Sequence, residues 1–145
     1  MKRVVNRRFA KTKEYAAVLE KIEKQGHCPF CPKDFKYSKK PILKTKNGWF
    51  VTENSWPYKN SQNHLLLIST QHKENFVDLT IQDFSAVKEL VNWSIKKFKI
   101  RGGGLALRFG DTEYTGATVY HLHFHLIYPK PPFKNKNQTV FFPIG

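Results

Sequence analysis

Between Val119 and Tyr128 the chain alternates with a period of two, His121, His123 and His125 interleaving with Leu122, Phe124 and Leu126. Only an extended strand places every second side chain on one face, so three imidazoles share one surface while the apolar set enters a core. A helix would scatter the same residues around its circumference. The rings then recur at intervals of about 6.6 Å, a spacing suited to successive tasks along an extended ligand.

Other elements follow from local patterns. Tyr15, Val18, Leu19 and Ile22 recur at helical spacing within Phe9 to Lys24, and Gly26 supplies the stop. Ile42 to Thr45 and Trp49 to Thr52 flank Asn47-Gly48, a hairpin turn between two antiparallel strands. After a polar loop from Asn54 to Asn63, His64 to Ser69 reads as a strand buried on both faces. Thr80 and Asp83 form a capping box ahead of a helix running to about Lys99, with Phe84, Val87, Val91, Ile95 and Phe98 on one side. Gly102 to Gly104 break it, Leu105 to Phe109 and Val119 to Tyr128 return as strands, and Thr139 to Phe142 offers a last short one. The expected fold is α+β: an antiparallel sheet of about five strands with two main helices packed on one side. At 145 residues the chain fits one domain, 1–145, with basic tails at about 1–8 and 129–145.

The alternating histidines admit three readings from the residues alone. One is a half-buried strand with an incidental polar face. A second is a zinc pair, His121 with His123, completed by His64 or His72. A third makes one imidazole a nucleophile toward phosphorus, because a phosphoramidate is labile enough to turn over. Gly116-Ala117-Thr118 just ahead favours the third: a glycine lets backbone approach a phosphate, and a threonine hydroxyl can donate to it. Charge points the same way, since 25 Lys and Arg against 11 Asp and Glu give a formal +14, which attracts phosphate-bearing ligands. The lysine runs at 36–40, 96–99 and 130–136 read equally well as solvated faces.

His121-Leu-His123-Phe-His125-Leu-Ile127 matches the hallmark of the histidine-triad nucleotide hydrolases and transferases, His-φ-His-φ-His-φ-φ with φ apolar. The resemblance extends to Gly116-Ala-Thr118-Val, to Asn54-Ser-Trp-Pro57-Tyr58, and to His64 through His72, covering roughly residues 28–128. Departures are Ala117 where the family often has glutamine, Asn63 where it has glycine, and no Asn-x-Gly element in Arg108 to Thr115. The resemblance implies a catalytic strand of His121, His123 and His125, with His123 attacking the α-phosphorus to form a nucleotidyl-histidine and His125 bonding phosphate oxygens. It also implies nucleotide contacts from Asn54, which would reach the ribose, and from His64, Gly116 and Thr118.

Cys28 and Cys31, three apart, suit a redox pair, two incidental thiols or half of a metal site. In the zinc-bearing branch of the family, and in the similar galactose-1-phosphate uridylyltransferases, such cysteines join two histidines. The resemblance therefore implies a structural Zn²⁺ held by Cys28, Cys31, His72 and His121, with His27 and His64 as rival ligands. A closed site of this kind would fix His123 through its neighbour two residues earlier.

The expected activity is cleavage at the α-phosphate of a dinucleoside polyphosphate or nucleoside phosphoramidate. One alternative acceptor is phosphate or a sugar phosphate, as in phosphorylases and uridylyltransferases, although retention of His125 favours water. Another is an aprataxin-like role on nucleic acid, supported by the basic surface and interleaved aromatics. The resemblance further implies a homodimer with a shared sheet. No signal-type apolar stretch follows the basic first residues and no run of about 18 apolar residues occurs, so a cytoplasmic protein with no membrane partner is expected.

Overall fold

The computed structural model describes residues 3–145. Helix α1 spans Lys13–Gln25 and stops at Gly26, whose φ of 69° lets its N–H close the last turn on the Ile22 carbonyl. The helix expected from Phe9 begins four residues later. The Thr12 hydroxyl caps Tyr15 N from an extended backbone, which separates α1 from a single 3₁₀ turn at Arg7–Phe9.

Strands β1 (Ile42–Lys46) and β2 (Trp49–Glu53) form the expected hairpin, with Asn47 and Gly48 at φ 42° and 84°. β3 (Ser61–Ser69), α2 (Ile81–Phe98), β4 (Gly104–Leu107), the one-turn α3 (Thr112–Thr115) and β5 (His123–Pro129) follow. All pairings are antiparallel and the sheet order is β1-β2-β3-β5-β4, so the histidine strand lies between β3 and the edge strand β4. The α+β class and the five-stranded sheet are those the sequence predicts.

Alternation divides the sheet into two working surfaces. Trp49, Val51, Leu65, Leu67, Phe124 and Leu126 point to one side, where Ala86, Val87 and Leu90 of α2 seal them from water. On the other side β3 and β5 place Leu66 opposite His125 and Ile68 opposite His123, next to Phe50 and Thr52 of β2. Among the described residues, α2 is the helix packed on the sheet. α1 buries Leu19 and Ile22 against Val4, Val5, Cys28 and Val119, and its Tyr15 and Val18 stand across a cleft from the histidine-bearing surface. The two helices therefore lie on opposite sides, contrary to the one-sided arrangement expected.

Three further boundaries differ, each because a hydrogen-bond partner competes. β3 begins at Ser61, inside the segment read as loop, because Ser61 and Asn63 pair with the end of β5 across a bulge. β5 begins at His123 rather than Val119: Tyr120 N donates to Val4 O and Leu122 N to Lys73 O, which take the preceding backbone out of the ladder. Residues 139–142 form no strand, and the Thr139 carbonyl instead accepts from Asn60 Nδ2 at 3.0 Å. The described parts of both segments read as basic tails make contact with the body: Val4, Val5 and Asn6 are buried, and Phe142 reaches the ring of His125. Residues 1 and 2 lie outside the described residues.

Candidate active site

The cleft between α1 and the sheet has a volume of about 760 Å³, within the range of small-molecule sites. His123 and His125 form its floor, their rings 4.9 Å apart. Asn54, Gly116 and Thr118 also line it, so the cleft gathers five of the residues predicted for catalysis or nucleotide contact. His64 lies beneath, buried behind His125, and His121 is directed away to a second cluster.

Backbone and neighbouring side chains fix the ring protons. His123 Nδ1 donates to the His121 carbonyl at 2.7 Å, leaving Nε2 with its lone pair. Desolvation in the cleft, helped by the Arg108 charge and opposed by that hydrogen bond, lowers the His123 pKa to about 4, so the ring is neutral near pH 7. Phe30 packs edge-on against it at 4.9 Å, and the ring has one orientation.

A proton chain orders His125. Tyr58 N–H donates to His64 Nδ1 at 3.1 Å, which puts the His64 proton on Nε2. That N–H donates to His125 Nδ1 at 2.8 Å, and neutral His125 consequently carries its own proton on Nε2, aimed into the cleft. Burial, reinforced by the neighbouring His123, Arg108 and Lys11, lowers the His64 pKa to about 3, and burial likewise takes His125 well below the ordinary range. Both rings are neutral, one relaying direction to the other.

Other predicted contacts have structural partners as well. Thr118 and Tyr15 share a hydrogen bond at 2.7 Å between hydroxyls. Asn54 Oδ1 accepts from Trp56 N at 2.8 Å, a local turn that brings Trp56 over the cleft to stack on Tyr15 with centroids 4.5 Å apart. Gly116 has φ 70° as the cap of α3, and a Cβ there would stand 2.6 Å from Gly145 O. Its glycine requirement thus comes from the returning C-terminal segment as well as from the turn.

The second cluster holds Cys28, Cys31, His72 and His121, whose ligand atoms all lie within 4.8 Å of one another. Cys28 Sγ is 3.3 Å and Cys31 Sγ 3.8 Å from His121 Nδ1, and Cys31 Sγ is 3.6 Å from His72 Nδ1. Tetrahedral zinc with bonds of about 2.0–2.3 Å holds its ligand atoms roughly 3.5 Å apart, so the donor set fits that ion. The outer nitrogens are committed too: His121 Nε2 donates to Ser69 O at 2.7 Å and His72 Nε2 to Glu74 at 2.8 Å. Both Nδ1 lone pairs are left for metal. His27 instead faces Asp34, and His64 belongs to the proton chain, so neither rival joins the cluster.

Arg108, Tyr58, Lys11 and the C-terminal aromatics were not assigned to the site from sequence. Arg108 Nη2 donates to Tyr58 Oη at 2.9 Å and Nε to Pro143 O at 2.8 Å, while its guanidinium carbon lies 4.0 Å from the Phe142 ring centroid. Lys11 Nζ sits 4.5 Å over the Tyr58 ring. The available signal was Arg108 at the exit of a strand next to the triplet, but its partners are 35 and 50 residues away.

The family model "Scavenger mRNA decapping enzyme C-term binding" matches residues 27–140. No curated protein sequence matches the chain. Among solved structures, a zinc-bound histidine triad family protein from Mycobacterium smegmatis aligns with 15% identity and TM-score 0.57, over 83% of this chain and 84% of that one. A histidine triad protein from Clostridium difficile aligns with 19% identity and TM-score 0.55, covering 73% and 94%. The Plasmodium falciparum diadenosine triphosphate hydrolase, solved with cyclomarin A, aligns with 21% identity and TM-score 0.51, covering 83% and 84%.

Proposed function

Because the chain belongs to the scavenger mRNA decapping enzyme C-terminal binding family and has the histidine-triad fold, we propose that it is a nucleotide hydrolase working through a covalent nucleotide on His123. The observation that carries this reading is the Nδ1–H bond from His123 to the His121 carbonyl. It leaves Nε2 free in the cleft and stabilises the positive charge that the ring gains on attack.

In the first step Nε2 attacks the α-phosphorus. A P–N bond forms, the bond to the leaving group breaks, and the leaving group departs with its electron pair. His125 Nε2–H supplies a donor to a phosphate oxygen. Water then attacks phosphorus and gives up a proton to solvent, the P–N bond breaks, the electron pair returns to Nε2 and a nucleoside monophosphate is released. The stack of Tyr15 and Trp56, with Phe30 and Phe35, offers an apolar slot for the base, and Asn54 stands beside it for the ribose. Replacing His123 by Asn should abolish turnover and the nucleotidylated species seen by mass spectrometry; unchanged turnover would remove His123 from the mechanism.

The second cluster supports a structural Zn²⁺ on Cys28, Cys31, His72 and His121, which would supply folding energy and no reactive oxygen. A homodimer through the β4 edge is supported by apolar exposure around it: Leu105, Phe109 and Phe76, whose ring lies 5.4 Å from that of Phe109, are each more than two-fifths exposed.

A further inference from the structure

Arg108 Nη1 lies 3.4 Å from His125 Nε2. By the proton accounting above both atoms carry hydrogen, so this contact is not a hydrogen bond. Two donors directed at one spot leave it short of an acceptor, and nearby carboxylates do not supply one. Among the described residues no acidic group pairs with Arg108, and the only acidic residue lining the cleft is Glu53, against Lys11, Lys59 and Arg108.

The guanidinium is also held in advance. Its Nε–H and one Nη2–H are committed to Pro143 O and Tyr58 Oη, and Phe142 covers its face. Of its five N–H groups, both on Nη1 and the second on Nη2 have no acceptor among the described residues. A planar fork fixed from behind, with its free edge beside a neutral His N–H, has the geometry of an oxyanion clamp.

We propose that Arg108 and His125 bind the phosphate on the leaving side of the scissile bond, so that the cleft selects nucleotides joined through a phosphoric anhydride over nucleotides joined to an amine. The proposal rests on the nucleotidyl-transfer reading above. The chemistry is asymmetric. A phosphate departs as an anion and gains from a fixed positive charge as the P–O bond breaks. An amine must instead take up a proton as the P–N bond breaks, and a guanidinium cannot furnish one.

The experiment compares kcat/KM for a dinucleoside polyphosphate and a nucleoside 5′-phosphoramidate in the wild type, Arg108→Gln and Arg108→Lys, with calorimetric binding of inorganic pyrophosphate to each. The ratio of anhydride to phosphoramidate turnover should fall by about 10² in Arg108→Gln, the scale seen when one fixed oxyanion donor is removed. Arg108→Lys should recover part of it, and pyrophosphate affinity should fall at least tenfold in the Gln variant. An unchanged ratio with unchanged pyrophosphate binding would overturn the proposal, whether or not overall activity drops. Circular dichroism identifies a variant that has not folded, in which case Tyr58→Phe, which removes one Arg108 anchor, must lower the same ratio. The pyrophosphate measurement needs no turnover, so the clamp is tested even if His123→Asn shows the covalent reading to be wrong.

Discussion

Asp83 couples the cap of α2 to the histidine strand, and replacing it by Asn should cost stability in a pH-dependent way. Its Oδ2 accepts from Lys73 Nζ at 2.7 Å, Thr80 N at 2.8 Å and Thr80 Oγ1 at 3.1 Å, and Oδ1 accepts from Trp49 Nε1 at 2.9 Å. Lys73 in turn accepts Leu122 N at its carbonyl, one residue before β5 begins. Partial burial alone would raise the Asp83 pKa, but the bonds from Lys73, Thr80 and Trp49 outweigh it and hold the carboxyl down at about 2. A folded-state pKa below the unfolded value means that ionisation stabilises the fold above about pH 4, by about 2 kcal/mol at pH 7. That contribution is lost as pH falls toward 2, and about half is gone by pH 3. Asn also turns an NH₂ toward either the indole N–H or the ammonium, leaving a donor unpaired for about another 1 kcal/mol. Urea unfolding should therefore show Asp83→Asn weaker than wild type by about 3 kcal/mol at pH 7, or roughly 10 °C in Tm, and the gap should narrow by about 1 kcal/mol at pH 3. A gap under about 1 kcal/mol at pH 7, or one that does not change with pH, would refute the argument.

Zinc removal and subunit contact give two more tests. Purified protein should carry close to one zinc per chain, and Cys31→Ser should lose it together with thermal stability; less than roughly half an equivalent in wild type under non-chelating conditions would exclude the cluster as a metal site. Light scattering should report a dimer that Leu105→Lys, placing a charge on the β4 edge, converts to monomer, whereas a monomeric wild type would dismiss the shared sheet.

Periodicity made the sheet and the shared face of His123 and His125 legible. Period-two alternation in 121–126 identified the strand, Asn47-Gly48 the hairpin and Thr80/Asp83 the second helix. The zinc ligands came from family resemblance, since Cys28 and His121 are 93 residues apart and nothing local joins them. Arg108 stayed hidden for the same physical reason: its anchors, Tyr58 and Pro143, lie in loops and a terminal segment with no periodic pattern. The side on which α1 lies was also illegible, because an amphipathic stripe states that a face is buried but not against what.

Adjacent positions on β5 answer to opposite surfaces of the sheet. Phe124 and Leu126 meet α2, while His123 and His125 meet the cleft. A residue-by-residue mutational walk along this strand should therefore alternate between two phenotypes, loss of folded protein and loss of chemistry. Folding and chemistry are thus written in alternate codons of one short segment, and a substitution that costs one leaves the other largely untouched.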